Sequence, residues 1–272
     1  MSTWGFRRVA SVDCDLVNQH PDDEESDEVL ANEANDAPQV RSPRDINWVK
    51  QDAFKWFKVE GATAQVMPYE FVTKMSELAQ EFGAKLIVGR AESIILSQDK
   101  QAVQAVLFRP AGFNDEQQLL ASHVVIAAGP WTSRLCPSIP IIGELSTAII
   151  VQPKQEISGV VLFFDPGHLD PQTPHNKTVY ISGSPVTDLE LPDTTAEVHP
   201  DPVRVNAIHK RSGLVSNELQ RSTLLKGQAC FRPIVNIDGW DKEATPLMGQ
   251  TAIRGLLLAA GAYTIRLLVA RC

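Results

Sequence analysis

The 272 residues carry 33 acidic and 25 basic side chains, for a formal net charge of −8, and 43% of them are hydrophobic. That apolar fraction suits a packed core, while the absence of clustered Lys and Arg excludes a phosphate-coating surface and with it nucleic acid as a partner. No run approaches the roughly 20 apolar residues that span a bilayer. Residues 1–15 lack the apolar stretch of a secretory leader, and Cys14, Cys136, Cys230 and Cys272 are scattered as isolated thiols, so the expectation is a cytoplasmic chain with no membrane span.

In chain order, residues 18–46 form an acidic linker or insertion, with Asp22, Asp23, Glu24, Glu25, Asp27 and Glu28 crowded together and few large apolar residues to offset ordering entropy. The spacing of Phe71, Val72, Met75, Leu78, Ala79 and Phe82 predicts a helix over 68–82, begun by Pro68 and capped by Gly83. Strands are expected at 85–88, 92–96, 102–108 and 123–127, with 97–101 as a polar turn. Beyond Pro137 the texture becomes β-rich, with strands at 146–152, 160–164 and 178–182 among Pro and Gly clusters. Asp201 and Pro202 begin a helix running to about 220, and strands follow at 226–231 and 255–260.

The strongest local pattern is Val124-Val125-Ile126-Ala127-Ala128-Gly129-Pro130-Trp131, an apolar strand ending in small residues and glycine, where a ligand or another backbone can approach closely. Read alone, it is equally a tight strand exit. A further group is Gln228-Ala229-Cys230-Phe231-Arg232-Pro233, then Thr245-Pro246-Leu247-Met248-Gly249, then Gly255-Leu256-Leu257-Leu258-Ala259-Ala260-Gly261. Arg232 is always charged and presents a planar fork suited to a carboxylate, and its plain alternative is an ion pair with one of the chain's own carboxylates. Tyr180 could flank a substrate or simply pack in a core. The histidines have no metal-ligand spacing, no G-x-S-x-G elbow occurs, and the residues name no catalytic acid, base or nucleophile and no metal site.

Taken together and in order, these blocks resemble the FAD-dependent oxidoreductase superfamily of D-amino-acid oxidase and glycine oxidase, in its fungal form. The resemblance covers roughly residues 64–261. It implies an α/β fold: an incomplete FAD-binding, Rossmann-like sheet joined to an antiparallel β-sheet plus helix substrate domain. It also implies FAD as cofactor, with Ala91, Gly129, Pro130, Trp131 and Gly261 near the flavin, and Arg232 and Tyr180 near a small amino-acid or amine substrate. The activity implied is oxidative deamination of an amino acid or secondary amine.

The sequence departs from the family pattern in two places. No two glycines stand two residues apart, so the G-x-G-x-x-G turn that cradles a pyrophosphate is missing, and the run from Ala262 to Val269 differs from the family's glycine-rich continuation. The expectation is therefore a truncated form whose hold on FAD is weakened, the alternative being a non-catalytic remnant or partner-binding protein. Its expected parts are a stray family strand at 1–17, the acidic segment at 18–46, part of the FAD-binding domain at 47–144, the substrate sheet and helix at 145–235, and a return to the FAD-binding domain with an atypical end at 236–272.

Overall fold

The computed structural model describes residues 6–17, 40–164, 167–172, 177–187, 189–237, 246–261 and 268–269. Its first half runs β1 (Arg7–Leu16), β2 (Phe54–Val66), α1 (Pro68–Glu81), β3 (Gly89–Leu96), β4 (Val103–Pro110), β5 (Gln117–Leu120), β6 (Val124–Ile126) and α2 (Thr132–Leu135). The second half runs β7 (Ile141–Gln152), β8 (Val160–Phe164), β9 (Gly167–Gln172), β10 (Thr178–Ser182), α3 (Pro202–Val215), α4 (Asn217–Gln220), β11 (Thr223–Val235), β12 (Leu247–Gln250), β13 (Leu256–Ala260) and β14 (Leu268–Val269). Short 3-10 turns occupy Pro43–Asp45, Gly129–Trp131 and Thr195–Glu197. None of the helices among the described residues is long and apolar enough to cross a membrane.

Eight strands form one mixed sheet in the order β11-β7-β10-β9-β8-β1-β2-β14. Two smaller sheets, β12-β13-β6 and β3-β4-β5, complete the mixed α/β architecture. Side chains alternate across a strand, so Ile149 and Val151 of β7 and Val179 and Ile181 of β10 share a face, and Val205, Val215 and Leu219 of α3 and α4 bury it. Each such aliphatic side chain contributes about 1.5–3 kcal/mol by leaving water. A second cluster, around Val103, Ile126, Ile141, Leu256 and Leu258, packs under the sheet containing β6 and β13. Strand β7 belongs to both cores, with Ile141 in one and Ile149 in the other.

Several expectations are adjusted here. The strand at 7–16 is no stray element: it pairs antiparallel with β2 and parallel with β8, and its Ala10 and Val12 are fully buried. Strand β2 joins the same sheet, so the stretch expected to serve the flavin side also builds the large sheet. Order resumes before residue 47, because Val40 and Ile46 are buried in the main core. The helix expected to reach 220 breaks at Ser216, whose hydroxyl donates to the Trp48 carbonyl at 2.6 Å and accepts from the Leu219 N–H at 3.2 Å, ending α3 and capping α4 together. The acidic run at 18–39 and the atypical segment after Gly261, apart from 268–269, lie outside the described residues.

Helix α1 forms as the spacing predicts, with Pro68 at its start and Gly83 at φ +91 just past its end. Its apolar stripe is nevertheless uncovered. Val72 is 64% exposed and Phe82 85%, and Leu86, Ile87 and Val88, expected as a strand, are exposed and make no strand.

Candidate functional site

Strands β6 and β13 are parallel neighbours in the register Leu256↔Val124, Leu257↔Val125 and Leu258↔Ile126. Gly261 directly follows β13, Gly129 opens the turn three residues past the end of β6, and both glycines adopt left-handed φ, +72 and +53. The exits of two adjacent parallel strands thus each carry a conformation that only glycine accommodates easily, at the carboxyl edge where open α/β sheets take their ligands.

The two glycines serve different ends. A Cβ on Gly129 would meet nothing within 4 Å, which leaves its backbone open to close approach, whereas one on Gly261 would lie 2.6 Å from Val235 Cγ2 of β11. Gly261 therefore lets the strand exit pack on the large sheet. Pro130 is buried and docks at the start of β7, where a Cβ on Gly143 would stand 3.5 Å from Pro130 Cβ and 2.9 Å from Phe231 Cδ1. The indole N–H of Trp131 donates to the Pro192 carbonyl at 2.8 Å, and the Thr132 hydroxyl donates to the Gly129 carbonyl at 2.7 Å, fixing the turn between strand and helix. As a wall for a bound nucleotide, this open glycine on a braced turn fits.

Ala91 sits apart, exposed on β3 and paired with Phe108. Its neighbour Arg90 lies 3.9 Å from Asp193, which also receives Arg134 of α2 at 2.8 Å, so the start of β3 and the Gly129–Trp131 turn are tied through one carboxylate.

Arg232 lies opposite Glu144 in the pairing of β11 with β7, and its guanidinium donates to that carboxylate. Both side chains are largely buried, at 17% and 11% exposure. The ion-pair alternative raised by the sequence is therefore realised, with a partner that no motif pointed to. A guanidinium has five N–H donors, so one carboxylate does not exhaust the fork. Glu144 and Arg232 project from the face opposite Gly143, close to the Gly129–Trp131 turn in register but across the strand pair.

Tyr180 shares that face, yet it pairs with Ile150, six residues along β7 from Glu144. At about 3.3 Å per residue the separation is roughly 20 Å, more than one small amino acid can bridge. Tyr180 is also 5% exposed. Gly129, Pro130 and Trp131 thus share one turn, Gly261 ends the strand neighbouring the one that leads into it, Arg232 lies across the β7–β11 pair from that turn, Ala91 is linked to it indirectly and Tyr180 is distant.

A family model described as FAD dependent oxidoreductase (DAO) matches residues 7–270. The chain belongs to this family. Among its relatives is the Saccharomyces cerevisiae protein TDA3, 23% identical over 256 residues, an alignment that takes in 80% of this chain and 48% of TDA3. The Schizosaccharomyces pombe protein C1F5.03c is 22% identical over 279 residues, covering 92% of this chain and 65% of its own length. The chain therefore spans about half to two-thirds of these curated relatives. In fold it is similar to glycine oxidase from Geobacillus kaustophilus, with TM-score 0.68 and 14% identity over 98% of this chain and 69% of that one. It is likewise similar to L-proline dehydrogenase from P. horikoshii, with TM-score 0.69 and 13% identity over 98% and 70% of the two chains.

Proposed function

We propose that this chain supplies one wall of a flavin site and the charged face of a substrate site in an FAD-dependent oxidoreductase acting on an amino acid or secondary amine. The observation that carries the reading is the pair of left-handed glycines, Gly129 and Gly261, at the exits of neighbouring parallel strands. Gly129, Pro130 and Trp131 would hold FAD on the open side of the turn, with Gly261 packing the adjacent strand end and Ala91 at its margin. When bound, FAD supplies the acceptor for the hydride leaving the substrate's α-carbon.

On the substrate side, Arg232 would receive the carboxylate, and Glu144 would face the amine. An amino acid carries both charges, and a buried Arg–Glu pair offers the complement of each while remaining neutral when empty. Tyr180, distant along the sheet, keeps a packing role in this reading. Amino acids and secondary amines are supported as a substrate class by the solved structures of similar fold, which include glycine oxidase, L-proline dehydrogenase and iminodiacetate oxidase.

The uncovered stripe of α1 and the exposed 86–88 run favour a second reading, in which the chain binds a partner and no longer holds FAD. Incubation with FAD, desalting and a visible absorption spectrum separate the two. A retained flavin band supports the flavin site, and substrate screening by oxygen uptake follows from it. A colourless but folded chain would overturn the flavin-site reading for this chain and leave the partner-binding one.

A further inference from the structure

On the other side of the large sheet from Arg232, a cavity of about 130 Å³ opens between α3 and strands β7 and β10. Its inner wall is apolar and deeply buried: Leu16 is 3% exposed and Ile181 2%, with Phe164 and Ile208 beside them. Into that wall is set one hydroxyl without an answer. Thr147 is 1% exposed, its backbone carbonyl accepts from the Gly183 N–H at 3.0 Å, and its Oγ1 has no hydrogen-bond partner. A buried hydroxyl left unpaired is costly, and it is the polar point of an otherwise apolar inner wall.

The mouth has the opposite character. Arg204, Ile208 and Arg211 stand four and three residues apart on one stripe of α3, so both guanidinium groups flank the same opening. Arg204 leans toward Asp201 at 3.8 Å, while Arg211 is exposed and makes no ion pair among the described residues. In a chain of net charge −8, two arginines over an apolar slot are a local reversal of sign that would favour an anion there. The volume lies below the roughly 300–1,000 Å³ of sites for drug-sized ligands, which favours a small occupant.

We propose that this cavity binds a small aliphatic carboxylate, its carboxyl group held by Arg211 and Arg204 at the mouth and its hydrocarbon body lying against Leu16, Phe164, Ile181 and Ile208. The site is separate from the substrate face, since residues 147, 149 and 181 point to the α3 side whereas Glu144 and Arg232 point away from it. It neither requires nor predicts bound flavin.

The test is titration of the purified chain with hexanoate, followed by heteronuclear NMR and calorimetry, with 1-hexanol, hexylamine and acetate as comparators. Hexanoate is expected to bind with a dissociation constant of about 1 mM or tighter and to shift the amide signals of 204–212 and 181–183, with the three comparators at least about tenfold weaker. Replacing both arginines, Arg204→Gln with Arg211→Gln, leaves the helix surface intact and weakens binding by about tenfold or more. Arg232→Lys serves as the control and leaves it unchanged. Absence of binding at about 10 mM overturns the proposal, as does hexanol binding as well as hexanoate, or loss of binding in Arg232→Lys with retention in the double variant. Because the readout contains no flavin and no turnover, its failure is distinct from failure of the flavin-site reading.

Discussion

Removing the Arg232 guanidinium leaves the Glu144 carboxylate stranded on a largely buried face, so Arg232→Ala is expected to destabilise the fold by about 3 kcal/mol whatever its part in substrate binding. The double variant Arg232→Leu, Glu144→Leu should recover most of that loss, because the buried charges are removed together; urea unfolding of the parent and the two variants measures it, and an Arg232→Ala chain as stable as the parent would show the pair to be energetically idle. Arg232 could be picked out in the sequence because it stands in a motif. Glu144 could not, since its partner is set by the register of β7 with β11, and its one local sign was a lone carboxylate in an otherwise small and apolar strand. Cys14 presents a second residue-scale case. Burial pushes its thiol well above the ordinary value of 9.0, the nearby Asp13 and Asp15 add to the shift, and its Sγ donates to the Phe163 carbonyl at 3.3 Å. Above pH 9 the unfolded chain releases this proton and the folded chain retains it, so the folded state binds more protons and stability falls as pH rises. A melting series from pH 8 to 11 should show that decline in the parent and a flatter one in Cys14→Ala, and thiol reagents should modify the partly exposed Cys136 well before Cys14.

At the scale of elements, a helix can be recognised from its own residues, whereas a strand depends on what lies beside it. The 3.6-residue spacing of Phe71, Val72, Met75 and Leu78 is enough to find α1, and the helix closes its own hydrogen bonds even with its apolar stripe uncovered. The run at 85–88 has strand composition but no neighbouring strand among the described residues, and it stays irregular. Conversely β2, to which the sequence reading assigns no strand, forms because β1 pairs along most of its length. These differences appear in the cost of substitution. Val72→Ser on the 64% exposed face should change stability by no more than about 0.5 kcal/mol, while Ile149→Ala in the fully buried β7 position should cost about 2–5 kcal/mol. Thermal or urea unfolding of the two single variants provides the comparison, and a large loss from Val72→Ser would mean that α1 is covered in solution.

Across the whole molecule, the two cores differ in how completely they are enclosed. The large sheet is closed by α3 and α4 over Ile149, Val151, Val179 and Ile181, whereas the parallel pair β6 and β13 is buried on the face of Ile126, Leu256 and Leu258 and leaves Val125 59% exposed. Parallel pairs are usually covered on both faces, so the part of the fold that carries Gly129 and Gly261 should be the part that opens most readily. Hydrogen exchange of the chain alone is expected to show the slowest amides in β1, β7, β8 and β10, and faster exchange in β6 and β13. Flavin binding at Gly129 and Gly261 would link ligand affinity to that local opening and slow exchange in β6 and β13 selectively, with little change at β8 and β1. Uniform slowing across both cores would indicate a general stabilisation, and no change in β6 or β13 with flavin retained on the protein would place the cofactor away from Gly129. Because β7 runs through both cores, slowing that spreads from Ile141 toward Ile149 would further show that the strand transmits the constraint from the core beside β6 and β13 to the core under α3.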